Sequence, residues 1–153
     1  AAQRPRTVRS QMMDPRMRGL QALIRLRKTE VDEAKSALAK AMAEENAAVA
    51  YRDRQHALIE SEQREAAAGR TSMDDFRQWL PAGRAAVERA ERAILPLRQA
   101  SDQARGALMQ ANAALKAAQA IVDKRLEEEK EIRERREQAE IDDLSRRNTP
   151  AST

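Results

Sequence analysis

The sequence contains no cysteine and a single histidine, and these two shortages exclude several kinds of chemistry. Without cysteine there are no disulfides, thiolate metal sites or cysteine nucleophiles. One histidine argues against a histidine-based zinc site and against a Ser-His-Asp triad. No apolar run approaches the roughly 20 residues that would span a bilayer. We therefore expect no enzyme activity, no cofactor, no metal and no small-molecule substrate.

Aromatic residues, glycine and proline are also scarce, with one Phe, one Trp, one Tyr, four Gly and five Pro. Alanine fills 31 of the 153 positions, and charged residues make up 35% of the chain. Such a sequence has little bulk for a compact core but is rich in the best helix formers. The composition is typical of long helices or a coiled coil.

Positive charge is concentrated at the start of the chain. Residues 1–28 contain eight basic groups and one acidic group, whereas the remaining residues carry a slight excess of acid. Pro5 and Pro15 interrupt residues 1–15, so we expect a flexible basic arm there. No apolar core of a signal peptide follows the arginines, which predicts a cytoplasmic protein.

A helical pattern begins near residue 16 and continues to about residue 68. Its apolar positions recur at spacings of three, four and seven, and Arg27 interrupts them. They are Leu20, Ile24, Val31, Ala34, Leu38 and Ala41. Beyond Ala41, polar residues occupy the positions at which the three-and-four spacing would continue. This predicts a shift of the heptad frame that turns inward either Val49, His56 and Ile59 or Tyr51 and Leu58.

A short break at residues 69–72 separates this helix from a second one. Gly69 suits the left-handed residue that ends a helix, and Ser72 with Asp75 resembles a capping box that opens the next. A short connection between long helices predicts an antiparallel hairpin.

The second helix, over about 73–147, carries the strongest periodicity. Fourteen positions at alternating spacings of four and three form a seam, and only Gly83 and Ser101 among them are not apolar. The positions are Phe76, Leu80, Gly83, Val87, Ala90, Ile94, Leu97, Ser101, Ala104, Leu108, Ala111, Leu115, Ala118 and Val122. We expect Pro81 near the first turn, where proline is tolerated, and a kink at Pro96.

Hairpin geometry predicts which residues face each other. With the turn near residue 70, Ile24 faces Leu115 or its neighbours, and Val31 faces Leu108. About 24 residues of the second helix then extend beyond the first, over roughly 35 Å. That segment is dense in charge, with 18 charged residues in 123–147, and residues 148–153 read as a disordered tail. The predicted fold is all-α: a long antiparallel two-helix coiled-coil hairpin with a protruding C-terminal helix.

Three stretches of this chain resemble the FliJ family of flagellar type III export stalk proteins. They are Leu23-Ile24-Arg25-Leu26-Arg27, Phe76-Arg77-Gln78-Trp79-Leu80-Pro81, and the ending from Arg135 to Leu144. The resemblance covers roughly residues 16–147. It implies a rod that enters the centre of a hexameric export ATPase and contacts both the cytoplasmic domain of the export gate and export chaperones.

The resemblance also implies which residues bind these partners. Gate binding is expected at Tyr51, Phe76 and Leu80. ATPase binding is expected at Arg25, Arg27, Arg133, Arg136 and Gln138. Through these partners the protein would sit at the cytoplasmic face of the inner membrane, peripheral to it.

Other functions stay open at this stage. The stalk protein of an injectisome-type secretion system is a near neighbour, and a generic dimeric coiled-coil scaffold is a further alternative. Nucleic-acid binding is not expected, because the basic arm has no interleaved aromatic residues and no basic-region-plus-zipper layout follows it.

Overall fold

Two long helices make up nearly all of the described chain. A computed structural model describes residues 15–149, and the predicted basic arm and C-terminal tail lie largely outside this range. Helix α1 runs over Pro15–Ala67 and helix α2 over Met73–Asn148. The described residues include no strand. The prediction of an all-α fold with two long helices packed against each other is confirmed.

The connection between the helices is a tight turn with a glycine in the left-handed region. Gly69 has a φ of 75°, which suits a residue without a side chain. Its N–H donates to the Ala66 carbonyl at 3.1 Å, and the Arg70 N–H donates to the Glu65 carbonyl at 3.0 Å. These two bonds form a Schellman motif, which satisfies carbonyls at the end of α1.

Helix α2 begins with a side-chain cap. The Asp75 N–H donates to Ser72 Oγ at 3.3 Å, so Ser72 satisfies one of the free amide donors of the first turn. Asp74 and Asp75 place negative charge in that turn, where the helix dipole favours it.

The contacts divide the molecule into two compact units, which are described separately. The turn unit comprises Glu30–Ala111 and contains the connection between the helices. The terminal unit joins the part of the chain up to Thr29 with the part from Asn112 onward.

The predicted seam of α2 is confirmed at all fourteen positions, each of which is buried or half-buried. In the turn unit the most buried apolar members are Val87, Ala90 and Ile94, with 6%, 4% and 3% of their surface exposed. In the terminal unit Ala118 and Val122 are buried on α2, and Met17 is buried on α1.

The predicted shift of frame on α1 holds only in part. Val49 and Ile59 are half-buried, but Tyr51, His56 and Leu58 are exposed, and buried or half-buried positions continue in the strict alternation of three and four. In the turn unit these positions are Val31, Ala34, Leu38, Ala41, Glu45, Ala48, Arg52, Gln55, Ile59, Glu62 and Ala66. The strict register survives because long polar side chains can cover a seam with their aliphatic stems while their polar ends reach water.

Contacts between the helices of the turn unit follow an antiparallel arrangement. Arg98 lies against Glu45, and Glu91 lies against His56, so residue numbers rise along α1 as they fall along α2. This antiparallel arrangement agrees with the prediction made from the short turn near residue 70.

The prolines of α2 lie inside the helix. Helix α2 continues through both Pro81 and Pro96. The expectation that Pro81 lies near the first turn is wrong, because α2 begins at Met73 and Pro81 is therefore in the third turn. An interior proline removes one backbone hydrogen bond, so packing against α1 must hold the helix together there.

The last part of α2 stays helical without burial. Every residue from 130 to 149 is exposed, although the helix continues to Asn148. The protrusion of this segment beyond α1 stays a prediction. Neither helix, within the residues that the structure describes, has the length and apolar character needed to cross a membrane.

Candidate partner-binding surfaces

The residues expected to bind the ATPase all lie in the terminal unit. Arg133 and Arg136 border a shallow groove on α2 together with the exposed apolar side chains of Leu126 and Ile132. Its other lining residues are Asp123, Glu127, Glu129 and Lys130. The groove therefore combines two half-exposed aliphatic side chains with charges of both signs.

The two arginines of this groove have no ion-pair partner within residues 15–149. Nearby charges do pair: Lys130 lies 4.0 Å from Glu134, and Arg147 lies 3.3 Å from Asp143. The Gln138 side chain donates to Asp142 Oδ1 at 3.0 Å. Arg133 and Arg136 are thus available to carboxylates of a partner.

The two N-terminal candidates differ in exposure. Arg25 is exposed, and its carbonyl accepts a hydrogen bond from Thr29 Oγ1 at 3.1 Å. Arg27 is half-buried at a seam position of α1, as the interrupted apolar pattern predicts.

The residues expected to bind the gate lie in the turn unit, but they do not form one cluster. Tyr51 is 50% exposed, and the guanidinium carbon of Arg54 lies 5.8 Å from the centre of its ring. Tyr51 borders a cleft whose α2 wall is Ala86, Arg89, Ala90 and Ala93. Phe76 borders a different cleft, beside the turn, and Leu80 is half-buried.

An aromatic pair occupies the turn end of α2. The ring centres of Phe76 and Trp79 are 6.2 Å apart and the rings are tilted by 39°. Together with Glu62, Thr71, Ser72 and Asp75 they surround a cleft at the start of the helix. Phe76 and Trp79 are both half-buried, so the pair is neither enclosed in a core nor fully exposed to solvent.

Sequence reasoning missed the contact between Trp79 and Gly83. A Cβ added to Gly83 would lie 2.8 Å from the nearest atom of the Trp79 ring. The buried glycine therefore provides the space in which the indole lies against the helix. The spacing of four residues between a tryptophan and a glycine on one helix face is the signal that could have revealed it.

A polar layer interrupts the seam of the turn unit where Glu45 meets Ser101. Only 16% of the Glu45 side chain is exposed, and Arg98 Nε lies 3.3 Å from its Oε1. Ser101 is fully buried, and its Oγ has no hydrogen bond of good geometry among the described residues.

The carboxyl of Glu45 is held in its charged form. The nearby Ser101 hydroxyl lowers the pKa of Glu45 most, and Arg98, followed by Arg105, lowers it further, against the opposing effect of desolvation. Because 16% of the Glu45 side chain stays exposed, the carboxyl is not fully removed from solvent, which limits the penalty of covering the charge.

The single histidine takes part in a cross-helix contact. His56 Nε2 lies 3.5 Å from Glu91 Oε1, with about half of each side chain exposed. No group of three or more potential ligands is placed to hold a metal ion within residues 15–149.

Comparison with known families gives one result. A family model described as flagellar FliJ protein matches residues 17–151, nearly the whole chain. No curated protein matches, and no solved structure does. The paired long helices, the glycine turn and this match agree with one another, and the chain belongs to the flagellar FliJ family.

Proposed function

We propose that this protein is a stalk-like component of the flagellar type III export apparatus, which inserts into a hexameric export ATPase and links it to the export gate. Family membership implies a component of that apparatus. The finer role rests on the distribution of candidate residues over the two units. The terminal unit holds those expected to bind the ATPase, and the turn unit holds those expected to bind the gate.

The observation that carries this proposal is the exposed helical segment 130–149. A helix with no buried residue gains little from tertiary packing, and its stability then depends on local interactions. The segment nevertheless presents three large aliphatic side chains, Ile132, Ile141 and Leu144, each about half exposed. These exposed aliphatic side chains are available for contacts with another protein, because interfaces bury apolar side chains at their centre.

The directions of these aliphatic side chains suit a partner that contacts more than one side of the helix. Ile132 and Ile141 are nine residues apart, which places them on opposite sides of an α-helix. Three basic and three acidic residues lie between them. An axial pore lined with charged residues would contact both sides at once.

The turn unit supplies the proposed contact with the gate. Tyr51 and the Phe76–Trp79 pair are its accessible aromatic side chains, and aromatic residues often dominate the affinity of protein interfaces. Export chaperones are proposed as further partners through the family. These partners would bring the protein to the cytoplasmic face of the membrane.

The experiment that tests the proposal is copurification with the export ATPase, together with light scattering to measure ring assembly. The wild-type chain is expected to bind the ATPase and to promote the hexamer. The double variant R133E/R136E is expected to bind less tightly, and the loss should be larger at low salt than at high salt, because ions screen the attraction.

A matched control keeps the change of charge but moves it to the turn unit. Arg64 and Arg92 are both exposed there, so R64E/R92E alters the net charge of the chain equally. Retained ATPase binding by this control, with loss in R133E/R136E, supports the proposal. Normal binding and assembly by R133E/R136E would contradict the assignment of these arginines.

A further inference from the structure

The first turns of α1 carry positive charge that no acidic residue of the same stretch balances. Residues 15–29 contain five basic residues and no acidic one. Acidic residues return only from Glu30 onward, where Asp32 and Glu33 are exposed. The beginning of α1 therefore presents charge of one sign over about four turns.

Three of these basic side chains form one exposed face. Arg18 and Arg25 are seven residues apart and Lys28 follows three residues later, so the three lie within about 80° around the helix. All three are exposed, and none of their side chains forms an ion pair among residues 15–149. We call Arg18, Arg25 and Lys28 the basic face of α1.

The other two basic residues of the stretch are not part of this face. Arg27 is half-buried at a seam position, and Arg16 and Arg27 are both engaged in other interactions. Residues 1–14, which lie outside the described residues, add three arginines and one aspartate to the charge of this end of the chain. The total near the basic face is therefore strongly positive.

A large aliphatic side chain lies beside the basic face. Leu26 is 53% exposed, and its position is about 80–100° around the helix from Arg18 and Arg25. Ala22, which is exposed between them, adds no charge. A helix that presents basic side chains next to an exposed leucine is typical of segments that lie in the interface of an anionic membrane.

We infer that the basic face and Leu26 form a binding surface for the anionic headgroups of a membrane. The arginine and lysine side chains would donate to lipid phosphates while their aliphatic stems lie along the interface. Leu26 would enter the boundary between headgroups and acyl chains. Clusters of about four to eight basic residues bind anionic lipids, and the basic face reaches that number together with the three arginines of residues 1–14.

Nucleic acid fits this surface less well than a membrane does. A phosphate backbone would attract the same cations, but it would offer Leu26 no apolar surroundings. Single-stranded nucleic acid is bound largely by stacking of bases on aromatic side chains. The three aromatic residues of the chain lie between positions 51 and 79, in the turn unit, so none is available beside the basic face.

The test measures cosedimentation of the full chain with lipid vesicles in the absence of other proteins. Vesicles of equal parts phosphatidylglycerol and phosphatidylcholine are compared with vesicles of phosphatidylcholine alone. The chain is expected to bind the anionic vesicles at least about tenfold more tightly, and this binding should weaken as salt is added. Equal binding to the two kinds of vesicle, or no binding to the anionic ones, would overturn the proposal.

A pair of charge variants locates the surface. R18E/K28E reverses two positions of the basic face that belong to no other proposed site, and it should bind the anionic vesicles at least about tenfold more weakly than wild type. K40E/R64E reverses the same two residue types at exposed positions of the turn unit and should bind as wild type does. Equal losses in the two variants would mean that net charge alone determines binding, and would overturn the proposal.

A pair of leucine variants tests the apolar part of the surface without a change of charge. L26S should weaken binding to the anionic vesicles at least about threefold, because the leucine no longer enters the interface. L95S removes another exposed leucine, in the turn unit, and should leave vesicle binding unchanged. Unchanged vesicle binding by L26S would indicate a purely electrostatic contact of the kind that nucleic acid also makes, and would overturn the proposal.

Discussion

Arg98 of α2 donates from Nε to Oε1 of Glu45 on α1 at 3.3 Å, which joins the two helices across the seam of the turn unit. Beside this contact Ser101 is fully buried. A charged layer within an otherwise apolar α2 seam favours one pairing of the helices, because a slide by one heptad would move Glu45 away from the Ser101 hydroxyl.

This layer predicts an acid-sensitive contribution to stability. The pKa of Glu45 is lowered from 4.5 in the folded chain, chiefly by Ser101 and then by Arg98, so Glu45 stabilises the fold at pH values above 4.5. That contribution is lost as the pH falls through the lowered pKa. In urea titrations, E45Q should therefore be less stable than wild type at neutral pH, and the difference should shrink in acid. A difference that stays constant down to acid pH would contradict this role for Glu45.

Two neighbouring residues of α2 provide a sharp test of the seam. Ile94 is 3% exposed and Leu95 is 63% exposed. Replacement of Ile94 by alanine should destabilise the protein by about 2–5 kcal/mol, because it removes buried methyl groups. L95A should change stability by less than about 0.5 kcal/mol. Equal effects in thermal or chemical unfolding would mean that the seam lies on a different face.

Gly83 and Gly106 form a second matched pair. Both lie inside α2, but a Cβ on Gly83 would meet the Trp79 ring at 2.8 Å, whereas nothing lies within 4 Å of one on Gly106. G106A should stabilise the protein by up to about 1 kcal/mol through helix propensity. G83A should lack this gain, because the new methyl group displaces the indole.

The single tryptophan reports this displacement directly. G83A should shift the fluorescence emission of Trp79 to longer wavelength as the ring moves toward water, and G106A should not. An unchanged emission spectrum in G83A, together with a stability gain equal to that of G106A, would show that the indole does not depend on the glycine.

Tyr51 and Phe76 should contribute independently to the affinity for the gate. Tyr51 and Phe76 border different clefts, so Y51A and F76A should each weaken binding to the cytoplasmic domain of the gate, and their effects should be nearly additive. Circular dichroism should show that helicity is retained. L95A, which removes an exposed side chain outside both clefts, is the control. Normal gate binding by both aromatic variants would make these residues structural.

The sequence predicts one helix much better than the other. On α2 the apolar positions are dense enough that periodicity alone identifies the whole seam, from Phe76 to Val122. On α1 the same reasoning fails after Ala41, because Arg52 and Gln55 occupy seam positions and cover α2 with their stems. Periodicity of residue type cannot detect a side chain that is apolar near the backbone and polar at its end.

The candidate sites are less accessible to sequence reasoning than the fold. The glycine turn follows from Gly69 and Ser72, since local hydrogen bonds determine it. The Trp79–Gly83 contact and the Glu45–Ser101 layer depend on which face of each helix turns inward and on where the two helices meet. The residues expected to bind the ATPase and the gate came from family resemblance, and their roles remain predictions.

Hydrogen exchange measured by mass spectrometry tests most directly our claim that the export ATPase covers the exposed segment of residues 130–149. In the protein alone these amides should exchange rapidly, because no tertiary packing protects the helix. On addition of the ATPase they should become protected, while amides around Tyr51 and Phe76 keep their exchange rates. Unchanged exchange in residues 130–149, with new protection in the turn unit, would contradict the claim.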